Sequence, residues 1–264
     1  PARQVRARWY SKKLPHSSNV FGGSKPISSA WSYIGEPGIG KTALVSTWCR
    51  EAVERGATIV GGRCTPDAAL PYQPFIEIAR AVLGARPGVI ADLGPASGNV
   101  AQLVPGVVTQ VTLPPPVQAD PDTTRYLMAE AFARLLRADA AGLPVVVVLD
   151  DLHWADEHSL GVVAHLARYA DDLALLLIGT YRDTDLVRNH PLPQLLTDLR
   201  RERRLVRIPV PRLTESEVGE LIAARFGAEA PEAVVDSISE ETQGNPFFIE
   251  EITMHLEDEG AIDA

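Results

Sequence analysis

The stretch GEPGIGKT occupies residues 35–42 and matches G-x-x-x-x-G-K-[ST], the pattern of a phosphate-binding loop. Gly38 and Gly40 can adopt backbone angles that residues with side chains avoid, so that several N–H groups can point at one anion. Residues 43–50 have a helical pattern, which places the loop at the positive end of a helix dipole. A glycine- and proline-rich turn before a surface helix is the alternative interpretation.

Each part of this loop has a predicted role. Lys41, a candidate catalytic residue, is expected to reach the β- and γ-phosphates, and the Thr42 hydroxyl is expected to hold Mg²⁺. The predicted nucleotide-binding residues are those of the loop and the residue after it. They are Gly35, Glu36, Pro37, Gly38, Ile39, Gly40, Lys41, Thr42 and Ala43. The sequence therefore predicts a bound nucleoside phosphate with Mg²⁺.

Residues 145–151 read VVVVLDD and carry the second motif. A continuous β-branched run is typical of a strand that is buried on both faces, as in a parallel sheet covered by helices. Asp150 is predicted to hold Mg²⁺, directly or through water, because a phosphate-binding loop needs a metal partner on a neighbouring strand. Asp151 is a candidate catalytic residue that orients or deprotonates the attacking water. The alternative is a strand that ends in an ordinary charged turn.

A further apolar run at residues 173–180 predicts another buried strand, and YRD follows at residues 181–183. Charges at the carboxyl end of a strand lie at the edge where open α/β sheets bind ligands. Arg182 is therefore a candidate catalytic residue that senses the γ-phosphate. The alternative is a surface arginine that is paired with Asp183 or Asp185.

Strands and helices alternate along the core, which predicts an α/β fold: a three-layer sandwich with a five-stranded parallel sheet. Strands are expected at residues 30–34, 57–60, 145–149, 173–180 and 205–208, and helices at 43–55, 72–83 and 122–140. Asp122 is the expected cap of the last of these helices, and Gly61-Gly62 is expected to close the second strand.

Two segments differ from this alternation. Residues 84–120 are rich in Gly and Pro and are interpreted as a mobile insertion with one short helix near residues 96–103. Residues 212–264 are predicted to form three helices, at about residues 214–226, 231–241 and 245–259, the first of which begins at the capping box formed by Thr214 and Glu217. We therefore expect a core domain at residues 30–211 and a small helical domain at 212–264 that is cut short.

Composition limits the classes of protein to which the chain can belong. It has 264 residues, two cysteines and a net charge of −9, which argues against a disulfide scaffold and against the chain as a whole binding nucleic acid. No apolar run reaches the roughly 18 residues of a membrane helix, and a cytoplasmic location is expected. Residues 1–30 hold six basic residues and no acidic one. We interpret residues 1–29 as a disordered or non-native extension, with a transit peptide or a nucleic-acid-binding tail as alternatives.

These motifs resemble those of the STAND signal-transduction ATPases, which are related to AAA+ proteins, and above all the ATPase domain of large ATP-binding LuxR-family transcription regulators. The matching stretches are GEPGIGKTALV (35–45), VVVVLDDLHWAD (145–156), LLLIGTYRDTDL (175–186) and TQGNPFFIEE (242–251). The resemblance implies ATP or ADP with Mg²⁺, the strand order 5-1-4-3-2 and Arg182 as sensor 1. It also implies that Gly244 and Pro246 form the GxP motif of a helical lid, with the proline near the adenine.

The leading hypothesis is a slow ATP-hydrolysing switch in which exchange of ADP for ATP moves the lid and promotes self-association. Asp151 is one methylene shorter than the glutamate of vigorous ATPases, which predicts slow turnover. DNA contacts are expected only through domains outside this chain. One alternative is an initiator-type motor that acts on DNA or protein, with an arginine finger from residues 200–204, although a solvated helix face also explains these arginines. Another is a nucleotide-binding scaffold fused to a cyclase or kinase.

Overall fold

The computed structural model describes residues 29–67, 70–106, 112–169, 173–186, 189–226 and 230–258. The basic extension predicted at residues 1–29 lies outside this range except for its last residue. The final residues of the predicted helical domain, 259–264, also lie outside it.

Five parallel strands form the sheet of the described residues. They are β1 (Ser29–Ile34), β2 (Thr58–Arg63), β3 (Val145–Asp150), β4 (Leu175–Tyr181) and β5 (Leu205–Pro209). Their spatial order is β2-β3-β4-β1-β5, with every pairing parallel. Taken from the opposite edge this order is 5-1-4-3-2, so the predicted α/β fold and strand order are confirmed.

Helices cover both faces of the sheet. Those of the core are α1 (Lys41–Glu54), α2 (Gln73–Ala85), α3 (Ser97–Leu103), α4 (Pro121–Ala140), α5 (Glu157–Tyr169) and α6 (Leu192–Arg201). Along β3, Val145 and Val147 belong to the larger apolar cluster, which includes residues of α2, α4, α5 and α6. Val146 belongs to the smaller cluster, which includes residues of α1. Because successive side chains point to opposite faces, the β-branched run fills both clusters at once.

The segment after α2 departs from the prediction of a mobile insertion. Residues Pro87–Ala96 form a 3-10 stretch that leads into α3. Ile90, Leu93, Val100 and Val104 are all buried in the larger cluster. The short helix predicted near residues 96–103 is present as α3. The expectation of a mobile segment is wrong over residues 87–96, because spaced apolar side chains anchor this Gly- and Pro-rich stretch to the core.

The start of α4 also differs from the prediction, which named Asp122 as its cap. The side chain of Asp120 instead accepts hydrogen bonds from the N–H groups of Asp122 and Thr123, at 3.1 and 3.0 Å. Pro121 is the first helical residue, a position where the missing proline N–H costs nothing. The cap therefore lies one residue before the proline, and Asp122 lies in the first turn.

We expect Gly98→Ala to lower the free energy of unfolding by about 1–3 kcal/mol, as overpacking does in a filled core. A Cβ at residue 98 would lie 2.4 Å from the Pro114 carbonyl oxygen. Gly84→Ala in α2 is the matched control, because a Cβ there meets no atom within 4 Å. The control should be neutral or stabilising, since alanine favours helix over glycine. Urea denaturation compares the two, and equal stabilities would mean that residues 112–117 do not pack on α3.

Three helices follow β5: α7 (Glu215–Phe226), α8 (Glu232–Thr242) and α9 (Pro246–Asp258). Their apolar residues form a separate small cluster that includes Val218, Ile222 and Ile249. The predicted capping box is present. The Thr214 N–H donates to Glu217 Oε2 at 2.8 Å, and the Glu217 N–H donates to Thr214 Oγ1 at 3.4 Å.

Candidate active site

The carboxyl ends of the strands bring the predicted residues to one edge of the sheet. A cavity of about 250 Å³ lies there. The phosphate-binding loop and the start of α1 form one side of it, and Arg63, Asp151 and Arg182 line it from the ends of β2, β3 and β4. The start of α9 contributes Pro246. Residues from five parts of the sequence therefore face one space.

The backbone of the loop suits an anion. Gly38 and Gly40 have φ angles of 76° and 93°, in the left-handed region that favours glycine. Gly40 precedes α1 and supplies no capping side chain for the first N–H groups of the helix. These groups lie beside the cavity, at the positive end of the helix dipole. An incoming phosphate would accept hydrogen bonds from these groups. The residues present therefore fit a nucleotide phosphate.

Lys41 is held against its own loop. Its Nζ donates hydrogen bonds to the carbonyl oxygens of Gly35 and Glu36, at 2.8 and 2.9 Å. The pKa of Lys41 lies below its usual value, chiefly because burial disfavours the charge and secondly because Arg182 is near. A phosphate would relieve this electrostatic cost, because it brings negative charge to a confined cation.

Thr42 and Asp150 meet as expected for two residues that share one metal ion. Thr42 Oγ1 donates to Asp150 Oδ2 at 3.0 Å, with Oδ1 at 3.2 Å. Hydroxyl and carboxylate oxygens are the ligands that Mg²⁺ prefers, usually beside waters and substrate phosphates. These two residues would hold Mg²⁺ next to the loop.

Thr180 of β4 was not singled out by the sequence, yet it organises both aspartates. Its hydroxyl donates to Asp150 Oδ1 and accepts a hydrogen bond from the Asp151 N–H at 3.0 Å. The side chain is buried, with 1% of its surface exposed. The available clue was a hydroxyl residue near the end of an otherwise apolar strand.

We expect Thr180→Val to lower the free energy of unfolding by about 1–3 kcal/mol, because valine leaves the buried Asp151 N–H without its acceptor. Hydrolysis of ATP should also fall by about tenfold, since Asp150 loses one of its two hydroxyl donors. Thr180→Ser keeps the hydroxyl and should retain most of the activity. Denaturant titration and a phosphate-release assay measure the two effects. Equal behaviour of the valine and serine variants would contradict the role of the hydroxyl.

Arg63 is a second residue that the sequence did not indicate. It ends β2 and binds Asp151 Oδ2 with Nη2 at 2.9 Å and Nε at 3.2 Å. The hydrogen bond to Asp151 is also the main reason why the pKa of Arg63 is raised. Asp151 itself has a left-handed backbone, with φ of 58°. The carboxylate predicted to orient water is thus already bound by a cation.

Arg182 lines the cavity and is also paired. Its Nη1 donates to Asp185 Oδ2 at 3.0 Å, whereas Asp183 binds Arg207 at 2.9 Å. In this structure the Arg182 side chain therefore forms the ion pair with Asp185 that the alternative interpretation predicts. It also lines the cavity, within the candidate site. Its role as a γ-phosphate sensor stays a prediction.

The remaining predicted residues serve the surroundings of the cavity. The Ile39 side chain is buried in the smaller core cluster, and Glu36 binds Arg212 at 2.7 Å. The Gly244 carbonyl accepts a hydrogen bond from the Leu213 N–H at 2.8 Å. A Cβ at Gly244 would lie 2.1 Å from the Leu213 oxygen, so this glycine permits a close backbone approach. Its contact with the nucleotide stays a prediction.

In the parts of the chain that the structure describes, no helix has the length and apolar character needed to cross a membrane.

Two family models match the chain. One, described as an AAA ATPase domain, matches residues 33–178, which is more than half of the chain. The other, described as a domain of unknown function (DUF8739), matches residues 214–264. A search of curated proteins found no match.

Solved structures with a similar fold include ORC1 of Aeropyrum pernix in complex with DNA, at 17% identity and a TM-score of 0.51, covering 94% of this chain and 57% of that protein. A RuvB mutant of Thermotoga maritima is 16% identical with a TM-score of 0.50, covering 95% and 62%. A DNA replication initiation factor is 15% identical with a TM-score of 0.50, covering 96% and 61%.

This chain thus spans about three fifths of those proteins. The likeness extends to the fold, and the family match covers the loop, Asp150 and Asp151. The chain belongs to the AAA ATPase domain family.

Proposed function

We propose that this chain is an ATP-binding switch that hydrolyses ATP slowly, as one module of a multidomain transcription regulator of the STAND type. Exchange of ADP for ATP changes the position of a lid, which we define as residues 212–258, and thereby controls self-association. The LDDLHWAD and GNPFF stretches support placement among the LuxR-family regulators.

The observation that carries the proposal is a set of bonds between the phosphate-binding loop and the lid. Asn245 Nδ2 donates to the Pro37 carbonyl oxygen at 3.1 Å. Arg212 Nη2 donates to Glu36 Oε2 at 2.7 Å, and its Nη1 donates to Gln243 Oε1 at 2.5 Å. Two loop residues are therefore tied to the lid by direct hydrogen bonds.

Phe247 adds an apolar contact between the same two parts. A Cβ built on Gly38 would lie 2.6 Å from the Phe247 Cβ, so the first turn of α9 lies directly on the loop. A loop that closes around phosphates must change its contacts with Phe247 and Asn245, or move α9 with it. A ligand shifts such an equilibrium by its difference in affinity for the two lid positions.

Each group of residues in the site has a separate role toward ATP, which is the substrate. The loop N–H groups and Lys41 bind the phosphates, and Thr42 and Asp150 would hold Mg²⁺, which neutralises charge on the phosphate oxygens. Arg182 leaves Asp185 and binds the γ-phosphate. Asp151 orients the attacking water once its carboxylate is accessible.

Slow turnover is supported by the pair of Arg63 and Asp151. We expect Arg63→Ala to raise the rate of hydrolysis about two- to fivefold, because a largely exposed ion pair is worth up to about 1 kcal/mol and the Arg63 side chain is 64% exposed. Arg55→Ala, at an exposed position just after α1, is the control and should leave the rate unchanged. A phosphate-release assay under saturating ATP measures both. A lower rate in Arg63→Ala would mean that the arginine assists hydrolysis instead.

The test of the switch is a distance between α1 and α9. Spin labels on cysteines introduced at the exposed Val53 and Met254 report the position of the lid. Burial raises the pKa of Cys49 to about 11 and that of Cys64 to about 12, so the native thiols react slowly with the label. We expect different distance distributions with ADP and with a non-hydrolysable ATP analogue. Identical distributions, with binding of both nucleotides verified, would reject the switch.

The motor alternative rests on the arginines after β4. Arg200, Arg201 and Arg203 are exposed at and after the end of α6, where a neighbouring subunit can receive them. Replacing all three by alanine should abolish any rise of specific ATPase activity with protein concentration if they act in trans. An unchanged concentration dependence would leave this alternative without support.

A further inference from the structure

His153 is a buried imidazole that the proposed function does not use. It lies in the 3-10 turn Leu152–Trp154, directly after Asp151, and its side chain has 0% exposure. Its Nδ1 lies 4.0 Å from Asp151 Oδ1, and its Nε2 lies 3.8 Å from Asp185 Oδ2. Both ring nitrogens are without a hydrogen-bond partner among the residues that the structure describes.

A buried polar side chain normally makes at least one hydrogen bond. Here each ring nitrogen is about 1 Å too far from its carboxylate for such a bond, so a small shift of the ring would complete either one. The two carboxylates belong to different parts of the site. Asp151 is the candidate that orients water, whereas Asp185 is the partner of Arg182.

The imidazole cannot satisfy both carboxylates while it is neutral. Burial is the main reason why the pKa of His153 lies below its usual value, and the cations Arg182 and Lys41 act in the same direction against the attraction of Asp151 and Asp185. A neutral imidazole has one N–H group, on either Nδ1 or Nε2. A hydrogen bond to Asp151 therefore excludes one to Asp185.

We propose that His153 is a positioning residue that couples Arg182 to Asp151 through its tautomer. Asp151 is paired with Arg63, whose side chain is 64% exposed, whereas Asp185 is paired with Arg182, whose side chain is 34% exposed. Solvent screens the charge of Arg63 more, so Arg182 neutralises its carboxylate more fully, and the N–H group lies on Nδ1 and donates to Asp151. When Arg182 moves to the γ-phosphate, Asp185 loses its cation and accepts the N–H group on Nε2. One proton leaves Nδ1 for water through the Asp151 carboxylate and one enters at Nε2 from water through the Asp185 carboxylate, which are 12% and 27% exposed, so the charge of the ring is unchanged. Asp151 is then free of this donor, and this last step rests on the proposed function.

The nucleotide-free chain tests the coupling directly. Nitrogen-15 chemical shifts distinguish the two tautomers, and loss of a signal in His153→Gln assigns it among the six histidines. We expect the Nδ1–H tautomer in the wild type and the Nε2–H tautomer in Arg182→Ala, without any nucleotide. The same tautomer in both proteins would overturn the proposal.

Two amide variants test the consequence for hydrolysis. Asparagine places an amide N–H near the position of Nδ1, and glutamine places one near Nε2. The first variant can therefore donate only to Asp151 and the second only to Asp185. We expect His153→Asn to hydrolyse ATP about tenfold more slowly than His153→Gln, the effect of one hydrogen bond to a charged group, at equal affinity for ATP. Equal rates in the two variants would contradict a directional role and indicate packing alone.

The two proposals fail in different ways. Absence of ATP binding by the wild type would reject the switch, yet the tautomer comparison of wild type and Arg182→Ala would still decide the coupling. Conversely, an unchanged tautomer beside normal ATP binding would remove the role of His153 and leave the switch intact.

Discussion

Asp151→Asn should lower the rate of ATP hydrolysis by about 10²–10⁴-fold, the usual contribution of a positioned general base, while the affinity for ATP changes little. Asparagine keeps the size of the side chain and can still accept a hydrogen bond from Arg63. It removes the negative charge that attracts the proton of the attacking water. The phosphates are bound elsewhere, by the loop and Lys41, so binding should persist.

Single-turnover hydrolysis and a direct binding titration separate these two effects. Asp92→Asn makes the same chemical change at an exposed position of the 3-10 stretch and should alter neither rate nor affinity. Loss of ATP binding in Asp151→Asn would mean that the carboxylate supports the structure of the site. An unchanged rate would assign the orientation of water to another group.

The central fold was predictable because its determinants are local. The β-branched run of residues 145–149 fills two apolar clusters at once, and the glycines of the loop have the positive φ angles that their motif implies. The order of the strands could not be predicted from local sequence in this way. Alternation of strands and helices leaves the order open, and the correct order was available only from the resemblance to STAND ATPases.

Arg63 was missed because a glycine has more than one structural use. The pair Gly61-Gly62 predicts the end of β2, yet the strand continues to Arg63. A Cβ at Gly62 would lie 2.0 Å from the Pro74 carbonyl oxygen of α2, so this glycine permits close packing inside a strand. The choice between a turn and a close contact depends on a partner 12 residues away along the sequence, which periodicity does not identify.

The contacts of Thr180 and His153 were missed for a related reason. Each has a clear chemical type, but its role depends on which residues the sheet places beside it. Leu149 of β3 pairs with Gly179 of β4, and this register brings Thr180 beside Asp150 and Asp151. A shift of two residues in the pairing would leave the apolar pattern intact and separate these groups.

Lys41→Met should lower the affinity for ATP by about 10–100-fold, which corresponds to the loss of one charge-assisted hydrogen bond to a phosphate. Methionine keeps the length and much of the volume of lysine, so the cavity wall is retained. Lys41→Arg should lie between the wild type and Lys41→Met, because it restores the charge with a planar group of different shape. Titration with a fluorescent ATP analogue measures all three.

Stability without nucleotide distinguishes a binding defect from a folding defect. The pKa of Lys41 lies below its usual value, so the folded chain disfavours this charge, and its stability contribution grows only as the pH rises toward the usual lysine pKa. Near neutral pH, Lys41→Met should therefore unfold at the same urea concentration as the wild type or a higher one. Lower stability together with weaker binding would instead mean that the bonds from Nζ to Gly35 and Glu36 hold the loop in place. A stable variant that binds ATP poorly would show that the lysine is retained at an electrostatic cost that only a phosphate offsets.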